Sequence, residues 1–351
     1  MERIDPLPYV VITGTPILEA LKKVNTPPFY MALVVDYEDK LKGILTDGDL
    51  RRGLLDGKDL SNVVDEYMKS EPITALVSIS QDNADDLLRR KNLAFLPLLT
   101  LDGKLVTLLI SGSLHQDRSR DNIAVIMAGG IGSRLHPLTE SCPKPMLKVN
   151  GKPILEILIE QCMRSGFGSF YISVNYLKEQ IIDYFGDGKK MGVSIDYLIE
   201  DQPLGTAGSL QLLPNSINKP FLVLNGDLLT KFDYRHVMRF HLEHKPSATM
   251  CVKEHVTQIP FGVVHTDGHT LTGFEEKPTY RQFVNAGLYV VDPIILTHLK
   301  PNTPTDMPTL LVMSQASHCR VIVYPIHEYW LDIGRPETLE NAQLEWHSAG
   351  R

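Results

Sequence analysis

Apolar and polar positions in the first 114 residues follow a pattern that occurs twice. Residues 17–25 (ILEALKKVN) carry apolar side chains at helical spacing, residues 30–36 (YMALVVD) and 40–45 (KLKGIL) read as strands, and a helix follows from Asp49. The second copy runs through 83–92 (NADDLLRRKN), 93–101 (LAFLPLLTL) and 104–110 (KLVTLLI). Set end to end, Leu41 falls on Leu105, Leu45 on Leu109 and Leu50 on Leu114. This repeat predicts two stacked helix-strand-strand-helix units, an α+β arrangement.

Residues 115–121 (HQDRSRD) are polar and without period, which marks a domain boundary, with a first domain over 1–114 and a second over 122–351. Beyond it, 122–127 is a short apolar run of the kind expected for a strand covered on both faces. A helical pattern over 154–166 follows, then a strand at 170–174, a helix at 177–185 and strands near 193–198 and 221–224. Strands alternating with helices predict an α/β fold, a doubly wound and mostly parallel sheet whose ligands sit at the carboxyl ends of its strands.

Composition narrows the function classes. The chain has 351 residues, 43% hydrophobic and 22% charged, with 35 Lys and Arg against 42 Asp and Glu, a formal charge of -7. No global positive field draws nucleic acid or an anionic membrane, so neither is expected as a partner. Cys142, Cys162, Cys251 and Cys319 lie far apart without zinc spacing and read as reduced thiols. The start, MERIDPLPYV, lacks the basic end and apolar core of a signal peptide, and no apolar run nears the ~20 residues that span a bilayer. A cytoplasmic protein is expected.

Candidate chemistry clusters at predicted strand ends. The strand ending at Met127 runs into Ala128-Gly129-Gly130-Ile131-Gly132-Ser133-Arg134, where glycines let backbone N–H groups approach phosphate and Arg134 offers a planar guanidinium. The spacing matches neither the dinucleotide fingerprint nor the P-loop, and a tight strand-helix turn explains the glycines equally. Pro143-Lys144-Pro145 fixes a lysine near that turn. In residues 200–209 (EDQPLGTAGS) the Glu200 carboxylate matches the adjacent N–H donors of guanine, while Thr206 also reads as a helix N-cap. LVLNGD ends in Asp227, placed to give magnesium its protein oxygen, and WLDIG carries a second carboxylate, Asp332. Two such residues share a metal only if the fold joins them. FEEKPT supplies Glu276 and Lys277, and VNAGLYVV is a strand interrupted by Asn285 and Gly287, which suggests close approach by a ligand or another backbone.

Taken in order, GGIGSRLHPLT, PKPMLKVNGKPILE, EDQPLGTAGS, LNGD, PFGVV, FEEKPT, VNAGLYVV and WLDIGRPETLENA resemble the sugar-1-phosphate nucleotidyltransferase family, over residues 122 to about 344. Within it they are most similar to bacterial guanylyltransferases of the mannose-1-phosphate type, some of whose relatives act on glucosamine-1-phosphate. The resemblance implies a GT-A-like, Rossmann-like catalytic domain that transfers a nucleoside monophosphate, GMP from GTP, to a sugar-1-phosphate and releases pyrophosphate. It implies that Ala128, Gly129, Gly130, Gly132, Ser133, Glu200, Pro203, Gly205 and Thr206 hold the nucleotide. Arg134, Lys144, Asp227 and Lys277 are the implied catalytic residues, and Asp227 and Asp332 the implied Mg²⁺ ligands. Gly262, Glu276, Lys277 and Asn285 are implied to take the sugar phosphate. UTP or CTP in place of GTP remains open on the residues.

The first 114 residues resemble a CBS domain pair, an adenosine-nucleotide-sensing and oligomerising module. Thr46 and Asp49 in Thr46-Asp47-Gly48-Asp49 fit its ribose-binding pattern, whereas the second repeat has Ile110 and Ser113 there. AMP, ADP or ATP is the implied ligand, a homo-oligomer the implied assembly, and a cap on the following helix the competing explanation. A catalytically silent subunit that binds sugar nucleotides is the alternative to an enzyme. The presence of Arg134, Lys144, Asp227, Lys277 and Asp332 favours the enzyme.

Overall fold

The repeated pattern of the first unit becomes a repeated structure. The computed structural model describes residues 2–26, 29–91, 93–110 and 122–346, and the chain divides into two units, residues 1–118 and 119–351. Unit 1 contains β1 (Glu2–Ile4), β2 (Val10–Ile12), α1 (Ile17–Val24), β3 (Met31–Val35), β4 (Leu41–Thr46), α2 (Asp47–Leu55), β5 (Ala75–Leu76), α3 (Gln81–Arg90), β6 (Phe95–Leu99) and β7 (Leu105–Ile110). β2 lies parallel to β3, which pairs antiparallel with β4, and β5, β6 and β7 repeat these pairings. Even the irregularity between Val34 and Val35 recurs between Leu98 and Leu99. Ser113, Leu114 and the 115–121 segment lie outside the described residues.

Each repeat buries one apolar helix stripe on its own strands. Ile17, Ala20 and Val24 of α1 pack with Ala32, Val34, Leu45 and Leu50, while Ala84 and Leu88 of α3 pack with Leu96, Leu98 and Leu109. α2 starts with reciprocal caps: Asp49 N–H donates to Thr46 Oγ1 at 3.2 Å, and Asp49 Oδ2 accepts from Thr46 N–H at 3.1 Å. The cap that competed with the ligand explanation of these two residues is therefore present.

Unit 2 contains β8 (Ile123–Met127), β9 (Lys148–Val149), β10 (Lys152–Pro153), α4 (Ile154–Arg164), β11 (Ser169–Val174), α5 (Lys178–Phe185), β12 (Ser194–Ile199), α6 (Gly205–Gly208), β13 (Phe221–Asn225) and β14 (Leu228–Thr230). It continues with α7 (Tyr234–His244), β15 (Ala248–Gln258), β16 (Val263–Asp267), β17 (Thr270–Glu275), β18 (Thr279–Val291), α8 (Met307–Ala316), β19 (Val321–Ile326), β20 (Trp330–Asp332) and α9 (Pro336–Glu345). The main sheet has the order β12-β11-β8-β13-β18-β15-β19. Its first four strands are mutually parallel, β18 runs antiparallel to both neighbours, and β15 and β19 are parallel. The expected α/β sheet is thus parallel-rich, with an antiparallel β18 in its second half.

Apolar side chains cover both faces. On one, Leu155 and Leu158 of α4, Phe185 of α5 and Val237 of α7 pack on Ala124, Ile126 and Leu224; on the other, Leu210 and Leu310 pack on Val125 and Val223. The interior alternation along β8 and β13 follows from this, and their carboxyl ends open at residues 128 and 226. Among the described residues no helix is long and apolar enough to cross a membrane.

Phe232 is fully buried just past β14, with its ring centroid 5.8 Å from those of both Tyr234, which it meets edge to face, and Tyr324, to which it is tilted. Phe232→Ala is expected to cost about 3–5 kcal/mol, read as a lowered denaturant midpoint. A loss below about 1 kcal/mol would show that this layer is not packed as described.

Candidate active site

The turn after β8 is shaped by what lies beneath it. A Cβ at Gly129 would stand 2.7 Å from Glu200 Oε1, and one at Gly132, whose φ is +70°, would stand 2.9 Å from Lys144 Cβ. Thr139 Oγ1 donates to the Gly132 carbonyl at 2.9 Å and closes the turn. Glycine is needed at both positions because these side chains come so close. A cavity of about 340 Å³ opens above, lined by residues 127–130, 132–134 and 144–145, by Glu200, Pro203, Gly205 and Thr206, by residues 225–227 and by Gly334. All nine residues expected to hold the nucleotide line it, together with Arg134, Lys144 and Asp227.

The two carboxylates meet through a short antiparallel ladder. β14 pairs with β20 so that Leu228 stands opposite Asp332, and the Ile333 N–H donates to the Asp227 carbonyl at 3.1 Å. Trp330 Nε1 donates to the Ala286 carbonyl at 2.8 Å and ties β20 to β18. Asp227 Oδ1 and Asp332 Oδ1 are both buried without a hydrogen-bond partner among the described residues. Burial and then the Asp227 charge push the Asp332 carboxyl up, against the pull of Lys144 and Arg134. Lys144 Nζ forms an ion pair with Asp227 Oδ2, the side chains being only 12% and 19% exposed. Arg134 and Asp332 flank Gly334, where a Cβ would stand 3.5 Å from Arg134 Nη2 and 3.5 Å from Asp332 Oδ1. Hard carboxylate oxygens left unpaired beside two cations are a fitting donor set for a divalent cation that also carries phosphate.

Glu200 is held on both oxygens. The Ser173 hydroxyl donates to Oε1, and the Leu204 N–H donates to Oε2 at 2.8 Å. Its carboxylate therefore shapes the loop over 200–206 as well as facing the cavity, a use that the residue type alone does not reveal. The loop is backed by a distant segment. Ala207 and Gly208 N–H groups donate to the Thr305 carbonyl at 2.9 and 3.0 Å, and the Thr305 N–H donates to the Leu204 carbonyl at 2.9 Å. Thr206 is a cap, but not of its own short helix: its Oγ1 accepts from Met307 N–H at 2.9 Å at the start of α8. In return Asp306 Oδ1 accepts from Thr206 N–H at 3.3 Å.

The sugar-phosphate set is not gathered into this cavity. Gly262 and Glu276 approach each other at the base of the β16–β17 hairpin, a Cβ at Gly262 falling 3.0 Å from Glu276 Oε2. Lys277 is exposed there, with φ +47°. Asn285 uses its amide inside the protein: Oδ1 accepts from Gly287 N–H at 3.0 Å, and Nδ2 donates to the Tyr289 hydroxyl at 2.5 Å. The close approach expected near Gly287 is made by the side chain of Asn225. Met127 and Pro145, which flank the expected phosphate-facing residues, also line the cavity, as do Asn225, Gly226 and Gly334, for which LVLNGD and WLDIG give no separate signal. In unit 1, Thr46 and Asp49 line a cleft of about 160 Å³ with Ile44, Lys69, Pro72, Ile73 and residues 93–95.

Comparison with known proteins extends this geometry. A nucleotidyl transferase family model matches residues 123–348, and a CBS domain model matches residues 4–56. A mannose-1-phosphate guanylyltransferase catalytic subunit beta of Dictyostelium discoideum is 32% identical over 221 residues, 61% of each chain. A mannose-1-phosphate guanyltransferase beta-A of Xenopus laevis is 32% identical over 222 residues with the same coverage. The matched part spans about three fifths of these relatives' length. Among solved structures, HddC from Yersinia pseudotuberculosis complexed with GMP-PN superposes with a TM-score of 0.51 at 25% identity, covering 64% of this chain and 100% of that one. Another HddC structure gives 0.52 at 26% identity with the same coverage. The protein belongs to the nucleotidyl transferase family, with a CBS domain in its first unit.

Proposed function

We propose that the chain transfers a nucleoside monophosphate, GMP from GTP, to a sugar-1-phosphate of the mannose or glucosamine type. The single observation that carries this reading is the meeting of Asp227 and Asp332 beside Lys144 and Arg134 at the glycine turn. A phosphate oxygen of the sugar phosphate attacks the α-phosphorus, the new P–O bond forms as the bond to the β-phosphate breaks, and pyrophosphate leaves in line. No covalent enzyme intermediate is required. Catalysis by this chain is positioning and charge compensation. Gly129, Gly130 and Gly132 present backbone N–H groups to the triphosphate, and Arg134 and Lys144 stabilise its developing charge. Asp227 and Asp332 would hold Mg²⁺, which when bound neutralises phosphate charge and orients both substrates.

Base choice rests on the loop over 200–206. A carboxylate has about four lone-pair sites, so Glu200 can accept from the Ser173 hydroxyl, the Leu204 N–H and a base donor together. This fits the N–H donors of guanine, in keeping with the names of the relatives above. The charged set favours an active enzyme over a silent subunit. A cytoplasmic setting fits four unbridged cysteines. Unit 1 is read as a regulatory module, assembled as a homo-oligomer, whose cleft takes AMP, ADP or ATP. Thr46 and Asp49 would meet the ribose while Lys69 faces phosphate.

Purified protein with Mg²⁺, GTP and mannose- or glucosamine-1-phosphate is expected to release pyrophosphate. Asp227→Asn should lower that rate by roughly 10²–10³-fold, as removal of a transition-state stabiliser does. Absence of release from four triphosphates against a panel of sugar-1-phosphates would overturn the reading, and near-normal turnover of Asp227→Asn would overturn the metal assignment.

Glu200→Gln replaces an acceptor-only group with an amide. The ratio of kcat/KM for GTP over UTP should fall roughly 10- to 100-fold, the worth of a hydrogen bond to a charged group. An unchanged ratio in a variant with a wild-type melting curve removes Glu200 from base recognition.

AMP is expected to bind unit 1 in a calorimetric titration, and Asp49→Ala to abolish the heat without changing the GTP titration. Equal AMP binding by the variant assigns Thr46 and Asp49 to the helix cap alone.

A further inference from the structure

We propose that Asn225 is a further substrate-binding residue, whose amide carbonyl accepts a hydrogen bond from a hydroxyl on a substrate sugar ring. The proposal rests on the nucleotidyl-transfer reading above. Asn225 is the last residue of β13, two positions before Asp227, and lines the same cavity as Arg134, Lys144 and Asp227. Its Oδ1 is buried with no hydrogen-bond partner among the described residues. Buried acceptors without a donor are costly and rare in folded proteins, so such an atom in a cavity wall calls for a donor from a ligand.

A second observation is independent of that oxygen: the protein builds a seat for this amide. β13 and β18 pair Leu224 with Leu288, which sets Asn225 beside Gly287. Gly287 has φ +66°, and a Cβ there would stand 2.6 Å from Asn225 Nδ2 and 3.0 Å from Asn225 Cγ. Any other residue would force the amide aside. Asn285 holds this turn through the Gly287 N–H at 3.0 Å and is itself fixed by the Tyr289 hydroxyl at 2.5 Å. The polar interruption of β18 therefore acts through Asn225.

Chemistry selects the donor. Phosphate oxygens carry no proton to give near neutral pH, and the cavity already meets them with Arg134 and Lys144. The base is assigned to the loop over 200–206, on the far side of the glycine turn. What remains near the end of β13 is a neutral hydroxyl, which both the ribose of the nucleotide and the ring of the sugar phosphate possess.

The test uses the full chain. Asn225→Ala and the nearly isosteric Asn225→Leu are assayed for pyrophosphate release with GTP and the sugar-1-phosphate varied in turn, alongside melting curves and with 2′-deoxy- and 3′-deoxy-GTP as alternative substrates. Either folded variant should lose about fivefold to tenfold in kcat/KM, the worth of one neutral hydrogen bond. A ribose donor places the loss on GTP and removes it when one of the deoxy analogues is the substrate. A donor on the other sugar places the loss on the sugar-1-phosphate and leaves GTP unaffected. Wild-type constants for both substrates in a folded variant overturn the proposal while the underlying reading stands. A wild-type protein that releases no pyrophosphate overturns both.

Discussion

The site depends on one arrangement that electrostatics opposes: two carboxylates brought together where neither is paired with the other. Asp332 is pushed toward its neutral form by burial and by Asp227, so the pair is held by structure and not by mutual attraction. The holding force is the three-residue ladder of β14 and β20, reinforced by the Trp330 indole on β18 and by fully buried Ile333. Lys144 offsets part of the repulsion through its pair with Asp227. α9 anchors the chain beyond: Asn150 Nδ2 donates to the Trp346 carbonyl, and Gln343 Nε2 donates to the Lys148 carbonyl at 2.7 Å. A half-buried like-charge pair is costly, and here backbone pairing, an indole and a lysine support it from several directions.

The loop over 200–206 is held by the same strategy in a different form. Residues 200–206 have few apolar side chains of their own to bury, so their conformation comes from hydrogen bonds to a segment about a hundred residues later. Thr206 starts α8 while Asp306 steadies Thr206, and each lends the other a cap. Glu200 supplies the inward anchor through Ser173 and Leu204. A loop so fixed lines the cavity in one conformation, with its order already set before any ligand arrives.

Local patterns were legible in the sequence, and long-range joins were not. The unit 1 repeat was visible because its period is written in apolar residues, and Leu41 and Leu105 do occupy matching places in β4 and β7. The glycine turn, Lys144, the loop at 200–206 and Asp227 each lie within a short motif, and all line one cavity. The meeting of Asp227 with Asp332 needs the pairing of two short strands, which carries no period. Asn225 carries no comparable signal, because an asparagine at a strand end reads as a turn residue and its buried, unpartnered oxygen is visible only in the fold. At Asn285 and Gly287 an interrupted strand signals close approach without saying what approaches, and the neighbour is the Asn225 side chain.

The cavity and the β16–β17 hairpin also differ in how they are built. The cavity is made from the carboxyl ends of β8 and β13, inside a sheet packed on both faces, so its geometry is set when the core forms. Gly262, Glu276 and Lys277 stand instead at the base of the β16–β17 hairpin, whose residues Val264, Leu271 and Phe274 are largely exposed. Substitutions there disturb little of the core, whereas substitutions at Gly129 or Gly132 collide with Glu200 or Lys144. One scaffold can thus keep its glycine turn and its two joined carboxylates while the exposed hairpin varies, because only the former are tied to the packed core.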